Sequence, residues 1–255
     1  KVVFNLPPYT NPGNIGILPE MLNVIDSAKN SIRMSVFQFN HIDVFNALKK
    51  AASRGVKIYI TTDLCYSGKA GYKEYFDDLK SHLNTVGQNA DAQIIDDKTA
   101  SCETMFNHNK YMIVDVEIPS ITKAWFGSFN PTNHGSVENV ELAIVARDES
   151  LAKVLKLDFD QQLEVKFKVY KKGVYSVIEN GKSCIQALSD EEIKALLKKN
   201  IQVTYPKIKI GDVEFEMLLS PKVKSLSRII EEVYNAKKEI LFSSFAIADQ
   251  MLISS

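Results

Sequence analysis

A chain of 255 residues is long enough for one large α/β domain, or for one domain and part of another. Hydrophobic residues at 45% and charged residues at 24% exclude a disordered or fibrous chain. Lys+Arg and Asp+Glu both total 31, so overall charge gives no reason to expect a polyanionic partner, although it leaves room for a local basic groove. Cys65, Cys102 and Cys184 lie far apart without metal-ligand spacing and read as small, buried or semi-buried side chains. No apolar run reaches the roughly 20 residues that span a bilayer.

The predicted elements begin with a helix. Leu18, Met21, Leu22, Ile25 and Ala28 recur at helical spacing and give one apolar stripe. Residues 31–39 (SIRMSVFQF) read as a strand. Asp43 is placed to cap a second helix over 46–53, and Gly55 stands where a left-handed terminator is expected. Residues 56–61 (VKIYIT) form the next strand, and a short one follows at 92–96. Strand, helix and strand in this order predict parallel pairs covered by helices. Three further strands are expected at 110–114, 123–128 and 140–146, then a helix from about 150 to 163. Trp125, on the second of these strands, reads as core. The run 166–172 (KFKVYKK) is basic with interleaved aromatics and reads as a solvated surface strand or a nucleic-acid contact. Past residue 164 the rhythm fades, apart from one helix opened by the capping box at 189–192 (SDEE).

The end of the chain resembles its beginning. Residues 28–37 read AKNSIRMSVF and residues 236–245 read AKKEILFSSF, and in the same register Leu18, Leu22 and Ile25 fall on Leu226, Ile230 and Val233. This repetition predicts a first repeat over 1–165, an inter-repeat insertion over 166–212 and the start of a second repeat over 213–255. The second counterpart of the His108 region would then lie beyond Ser255.

The chemistry concentrates at residues 108–115 (HNKYMIVD), which fit H-x-K-x4-D, and at residues 127–130 (GSFN) on the next predicted strand. Positions i and i+2 of a strand share a face, so His108 and Lys110 project together, as do Ser128 and Asn130. On neighbouring strands these four polar groups would converge. Met112 and Val114 continue the parity of His108 into the core. Asp115 has the opposite parity and lies at the far end, better placed to cap a turn or pair with a structural cation than to touch substrate. Parity and the Lys110 ammonium argue against a metal shared by His108, Asp115 and His134. His41 and His82 read as structural or exposed, and His134 as a loop residue at the rim.

A phosphodiester is anionic and repels nucleophiles. A neutral imidazole can attack it near pH 7, and a covalent phosphohistidine splits one hard step into two. Lys110 and the amide of Asn130 can donate to the non-bridging oxygens as charge builds. Ser128 can add a donor or orient a neighbour. A second histidine is needed to protonate the leaving oxygen and then activate water.

These two motifs resemble the HKD motif and trailing G-S-x-N of the phospholipase D superfamily. Residues 127–135 (GSFNPTNHG), residues 139–141 (NVE) and the 54–56 turn (RGV) leading to Asp63 are similar to the family's pattern as well. The resemblance implies an α/β fold: a mixed sheet flanked by helices, with the start of a second similar repeat. It implies a phosphodiester hydrolase, acting without metal or other cofactor on nucleic acid or phospholipid; nucleic acid is slightly favoured because no long apolar segment marks a membrane-binding loop. Carried over by position, His108 is the nucleophile or its acid/base partner. Lys110 and Asn130 bind phosphate and Ser128 supports them. Asp115 and Gly127 are structural, and Glu141 holds a histidine ring in orientation. Family members build one site from two such motifs, in one chain or across a homodimer, so the expected partner of this site is a second HKD motif. Transfer to an alcohol, as in a transphosphatidylase, and a non-catalytic phosphate-binding scaffold with one surviving motif are the alternatives.

Overall fold

The computed structural model describes residues 1–5, 16–63, 69–97, 107–171, 207–219 and 225–240. They fall in two compact units, Lys1–Asn200 and Ile201–Ser255.

The first unit is built on a seven-stranded sheet with the order β1-β7-β6-β5-β2-β3-β4. The strands are β1 (Val2–Asn5), β2 (Ser31–Val36), β3 (Lys57–Asp63), β4 (Ile94–Asp97), β5 (Lys110–Val114), β6 (Lys123–Gly127) and β7 (Glu141–Ala146). Strands β2, β3 and β4 are parallel, while β5, β6, β7 and β1 join antiparallel. The sheet is therefore mixed, as the strand–helix–strand order followed by three consecutive strands predicts.

Helices α1 (Ile17–Asp26), α2 (Ile42–Ser53) and α3 (Lys73–Thr85) supply the main core. Ile17, Met21, Val24 and Ile25 of α1 are buried at spacings of three and four, one continuous stripe. This stripe, with Val44, Phe45 and Leu48 of α2 and Phe76 and Leu79 of α3, packs in one cluster with Ile32, Met34, Ile58, Ile60, Met112, Val114 and Trp125. Strand alternation sends the intervening residues to the other face. There α6 (Glu149–Lys171) buries Leu151, Ala152, Leu155 and Phe159.

Several boundaries differ from expectation. Helix α2 begins at Ile42 and is capped by His41, whose Nδ1 accepts from the Asp43 amide at 3.3 Å, so Asp43 lies in the first turn instead of capping. The cause is tertiary: the N–H groups of Asn40 and His41 both donate to the Pro131 carbonyl, at 3.1 and 3.0 Å, and fix the helix entry there. Gly55 ends α2 at φ +90° as predicted. Residues 90–93 form one helical turn, α4, capped by Asn89, and delay β4 to Ile94. Strand β2 stops at Val36 and β6 at Gly127, each shorter than predicted. Helix α6 runs to Lys171, so the backbone of the basic aromatic run is helical up to that point, not a surface strand. Strand β1 and helix α3 were not anticipated. The latter hides because exposed Lys, Glu and Asp dominate a helix that buries only Phe76, Leu79 and Leu83.

The second unit contains a hairpin, β8 (Lys207–Ile210) and β9 (Val213–Glu216), turning at Gly211 with φ +61°. Helix α7 (Ser225–Asn235) covers the positions where the internal repetition expects one, and Ile230 is buried. Cys65, Cys102, Cys184, the capping box at 189–192 and residues 241–245 of the repeated segment lie outside the described residues. Among the described residues no helix is long and apolar enough to cross a membrane.

Candidate active site

The predicted neighbours are neighbours. Strands β5 and β6 pair antiparallel with Tyr111 opposite Phe126 and Met112 opposite Trp125. The start of β5 thus meets the end of β6, and β7 begins beside them with Ala143 opposite Gly127. His108, Lys110, Ser128, Asn130 and Glu141 all belong to this end of the sheet.

His108 precedes β5 and is exposed, with Asn107 buried on one side of it. Its ring packs edge-on against Phe37, 4.6 Å between centroids. Phe37 follows β2, and β2 is the other partner of β5, which brings the aromatic ring to the histidine. Lys110 Nζ donates to the His108 carbonyl at 2.9 Å and lies 5.5 Å from the centroid of the same Phe37 ring. One aromatic wall therefore backs both groups. No feature of the sequence marks Phe37, because an aromatic at a strand end is an ordinary core residue.

Local desolvation sets the charges. Although His108 is exposed as a residue, the protein beside its ring removes water and lowers its pKa below the usual imidazole value, and the Lys110 ammonium lowers it further. Burial lowers Lys110 to about 8, against the opposing pull of the Glu141 carboxylate. At neutral pH this leaves a neutral imidazole next to a cation.

Ser128 and Asn130 do not sit on a strand, because β6 ends at Gly127. Hydrogen bonds fix them individually. The Ser128 hydroxyl donates to Glu141 Oε2 and accepts from the Leu142 amide at 3.0 Å, while its own N–H reaches the Leu142 carbonyl at 2.9 Å. The Asn139 side chain donates to Glu141 Oε1 at 3.3 Å. Among the described contacts the Glu141 carboxylate therefore holds Ser128 and Asn139, and acts on Lys110 through space. Asn130 accepts from the Gln38 amide through Oδ1 at 3.5 Å, which turns its NH₂ to the opposite side.

Two glycines let the backbone come this close. A Cβ on Gly127 would stand 2.0 Å from the Leu142 carbonyl oxygen, and one on Gly135 would stand 2.4 Å from that of Asn130. The loop is closed by Thr132, whose hydroxyl caps the short helix α5 (Asn133–Val137) by accepting from Gly135 at 3.0 Å. From β1, Asn5 donates to the carbonyls of Gly135 and Asn139 at 3.1 and 3.0 Å, tying the edge strand to this loop.

Asp115 is elsewhere. It is 1% exposed at the opposite end of β5, in a left-handed conformation with φ +54°. Its carboxylate accepts from the backbone amides of Lys29, Asn30 and Ser31 at 2.9, 2.6 and 3.0 Å, closing the turn between α1 and β2. The other histidines have separate tasks: His41 caps α2, His82 contacts Ser53 and the Lys49 carbonyl, and His134 pairs with Glu138 on the surface. Among the described residues no group of three or more His, Cys, Asp or Glu gathers as a metal would require.

Residues 21–163 match the family described as cardiolipin synthase, PLD-like domain. A phospholipase D from Rickettsia conorii is 31% identical over 144 residues, covering 56% of this chain and 62% of that relative, so the match spans less than two thirds of the relative's length. Among solved structures, Nuc from Salmonella typhimurium, a phospholipase D family member, is 25% identical, with a TM-score of 0.48 over 66% of this chain and 93% of that one. NucT from Helicobacter pylori is 22% identical, with a TM-score of 0.49 over 64% of this chain and 96% of that one. With more than half of its length matched by the family, the chain belongs to the PLD-like domains of the phospholipase D superfamily.

Proposed function

We propose that this chain cleaves phosphodiesters by covalent catalysis, with His108 as the nucleophile. The observation that carries the reading is an exposed histidine against an aromatic wall it shares with the Lys110 ammonium, where desolvation and that ammonium lower its pKa. The imidazole attacks phosphorus and displaces an alkoxide, giving a phosphohistidine; water then attacks this intermediate and returns the imidazole. Lys110 and the NH₂ of Asn130 donate to the non-bridging oxygens, where charge grows in the transition state. Glu141 keeps the Lys110 side chain charged and, by accepting the Ser128 hydroxyl, fixes Ser128 beside it. Because Lys110 already supplies a positive charge beside the nucleophile, the reading requires no metal.

The leaving alkoxide needs a proton, and His41, His82 and His134 are each held in other contacts. The acid is therefore assigned to a second HKD motif, from further sequence of the same protein or from a second chain. The substrate class is the phosphodiester shared by nucleic acid and phospholipid. A lipid substrate is favoured by the names of the matched family and of the Rickettsia relative. Nucleic acid is the reading drawn from the sequence.

The test is a matched assay in EDTA with single-stranded DNA, duplex DNA, RNA and phosphatidylcholine vesicles, beside a His108→Ala control. Turnover of one substrate, lost in the control, is the expected result. Activity abolished by EDTA would overturn the metal-free mechanism, and activity undiminished in the control would remove His108 from its role.

A further inference from the structure

Behind His108, on the face covered by α6, the sheet stops being apolar. Ser35 and Thr61 are fully buried there, and Asn107 is 5% exposed. Thr61 Oγ1 lies 3.0 Å from Ser35 Oγ and 2.9 Å from Gln162 Oε1 of α6, and Ser35 Oγ lies 3.0 Å from the same oxygen, each hydroxyl giving its one proton within this triangle. Gln162 in turn donates to Asp158 at 2.6 Å, which accepts the Tyr111 hydroxyl at 2.7 Å. Two residues connect this network to the site. Asn109 donates to Ser35 at 3.2 Å and to Asn107 Oδ1 at 3.0 Å, and the backbone N–H of Asn107 donates to the buried Asp63 carboxylate at 3.0 Å.

We propose that Asn109, the residue between His108 and Lys110, is a positioning residue of the reaction, and that its anchor is Gln162 of α6, reached through Ser35. This rests on the reading of His108 as the nucleophile. Asn107 and Asn109 are the immediate neighbours of His108 in the chain, and both turn their carboxamides into the network. The imidazole between them stays out of this network and packs instead against Phe37. Further along the same strand, Ile113 on this face is apolar and fully buried. A sheet covered by Leu151, Leu155 and Phe159 could be closed more simply with hydrophobic side chains. Polar groups take their place where the nucleophile leaves the sheet; Ser31, Arg33 and Glu117 form a separate polar set at the far end of the same face. A fully bonded network holds one arrangement where an apolar contact would allow several. Burial and the adjacent Asp158 carboxylate push the Tyr111 phenol well above its usual range, so it remains a donor within the network.

The test uses the full chain with bis(4-nitrophenyl) phosphate as the probe, and three variants. Asn109→Leu keeps the branched skeleton and removes the NH₂ donor. Asn109→Ser keeps a donor. Gln162→Met removes the distant anchor without approaching the site. Asn109→Leu is expected to lower kcat about 100-fold, with KM and melting temperature close to those of the parent; Asn109→Ser recovers part of the loss, and Gln162→Met shows a weaker form of it. The imidazole signals of His108, assigned by their loss in His108→Ala, should shift in Asn109→Leu and Gln162→Met. Unchanged kcat with unchanged imidazole signals overturns the proposal. So does a loss that only follows the fraction of unfolded protein and is equal in Asn109→Ser. If Asn109→Leu does not fold, the other two variants decide by the same criteria. If the parent turns over no phosphodiester, the proposed function fails, and the His108 signals alone still decide whether Asn109 positions the ring.

Discussion

At one end of β5 His108 stands exposed, with its ring against Phe37; at the other, Asp115 is 1% exposed and holds three backbone amides. The two residues belong to one sequence motif, five letters after Lys110 in the case of Asp115, yet the strand keeps them apart. Between them Met112 and Val114 are fully buried. The His108 end is built so that an ionisable group meets solvent with its charge held in check. The Asp115 end is built so that a charge never meets solvent, because backbone donors replace the water. A motif shared by letters can thus join a reactive part to a scaffolding part, and the two should fail in different ways.

Changes at the two ends separate these failures. The largest effect belongs to His108: replacing it with Ala should reduce kcat/KM by at least about 10³-fold while the melting curve stays in place. A coincident loss of stability would break the contrast. Asp115→Ala should do the reverse, costing about 3 kcal/mol of stability in chemical denaturation, since three amides lose a charged acceptor, with residual activity following the folded fraction. Gly127→Ala lies between these, because a Cβ there meets the β7 backbone; a cost of about 1–3 kcal/mol should come with a drop in kcat as Ser128 shifts. The pH profile sharpens the His108 side. Activity should rise as the imidazole loses its proton below its ordinary value of 6.5 and fall as the Lys110 ammonium deprotonates near 8. An alkaline limb above pH 10 would mean that Lys110 is not in the desolvated position described. The smallest effect is that of His134→Ala, where an exposed pair with Glu138 is lost and stability should move by less than about 0.5 kcal/mol.

Much of this contrast was legible from spacing. Parity placed His108 and Lys110 on one side, turned the face apolar at Met112 and Val114, and put Asp115 at the far end. It served poorly for Ser128 and Asn130, since alternation holds only on a strand and β6 stops at Gly127. Their placement depends on Glu141, Leu142 and Gln38, partners remote in sequence that no local pattern reports. Helix α2 shows the same limit: Asp43 was a sound local cap, but the Pro131 carbonyl fixed the entry at His41. Strand β1 is four residues long and offers no period to read; only its pairing with β7 defines it. Phe37 and the Ser35–Thr61–Gln162 cluster were invisible for a related reason, being ordinary residue types made significant by what the sheet brings beside them.

The left-handed backbone at position 115 narrows which amino acids can occupy it. A φ of +54° admits glycine, asparagine and aspartate readily and resists branched side chains. Glycine offers no acceptor, and asparagine offers a single oxygen and a nitrogen that would face the Lys29 amide with its own hydrogens. Only aspartate meets both demands, so substitutions tolerated at this site should be very few even in proteins of this fold that have lost all chemistry.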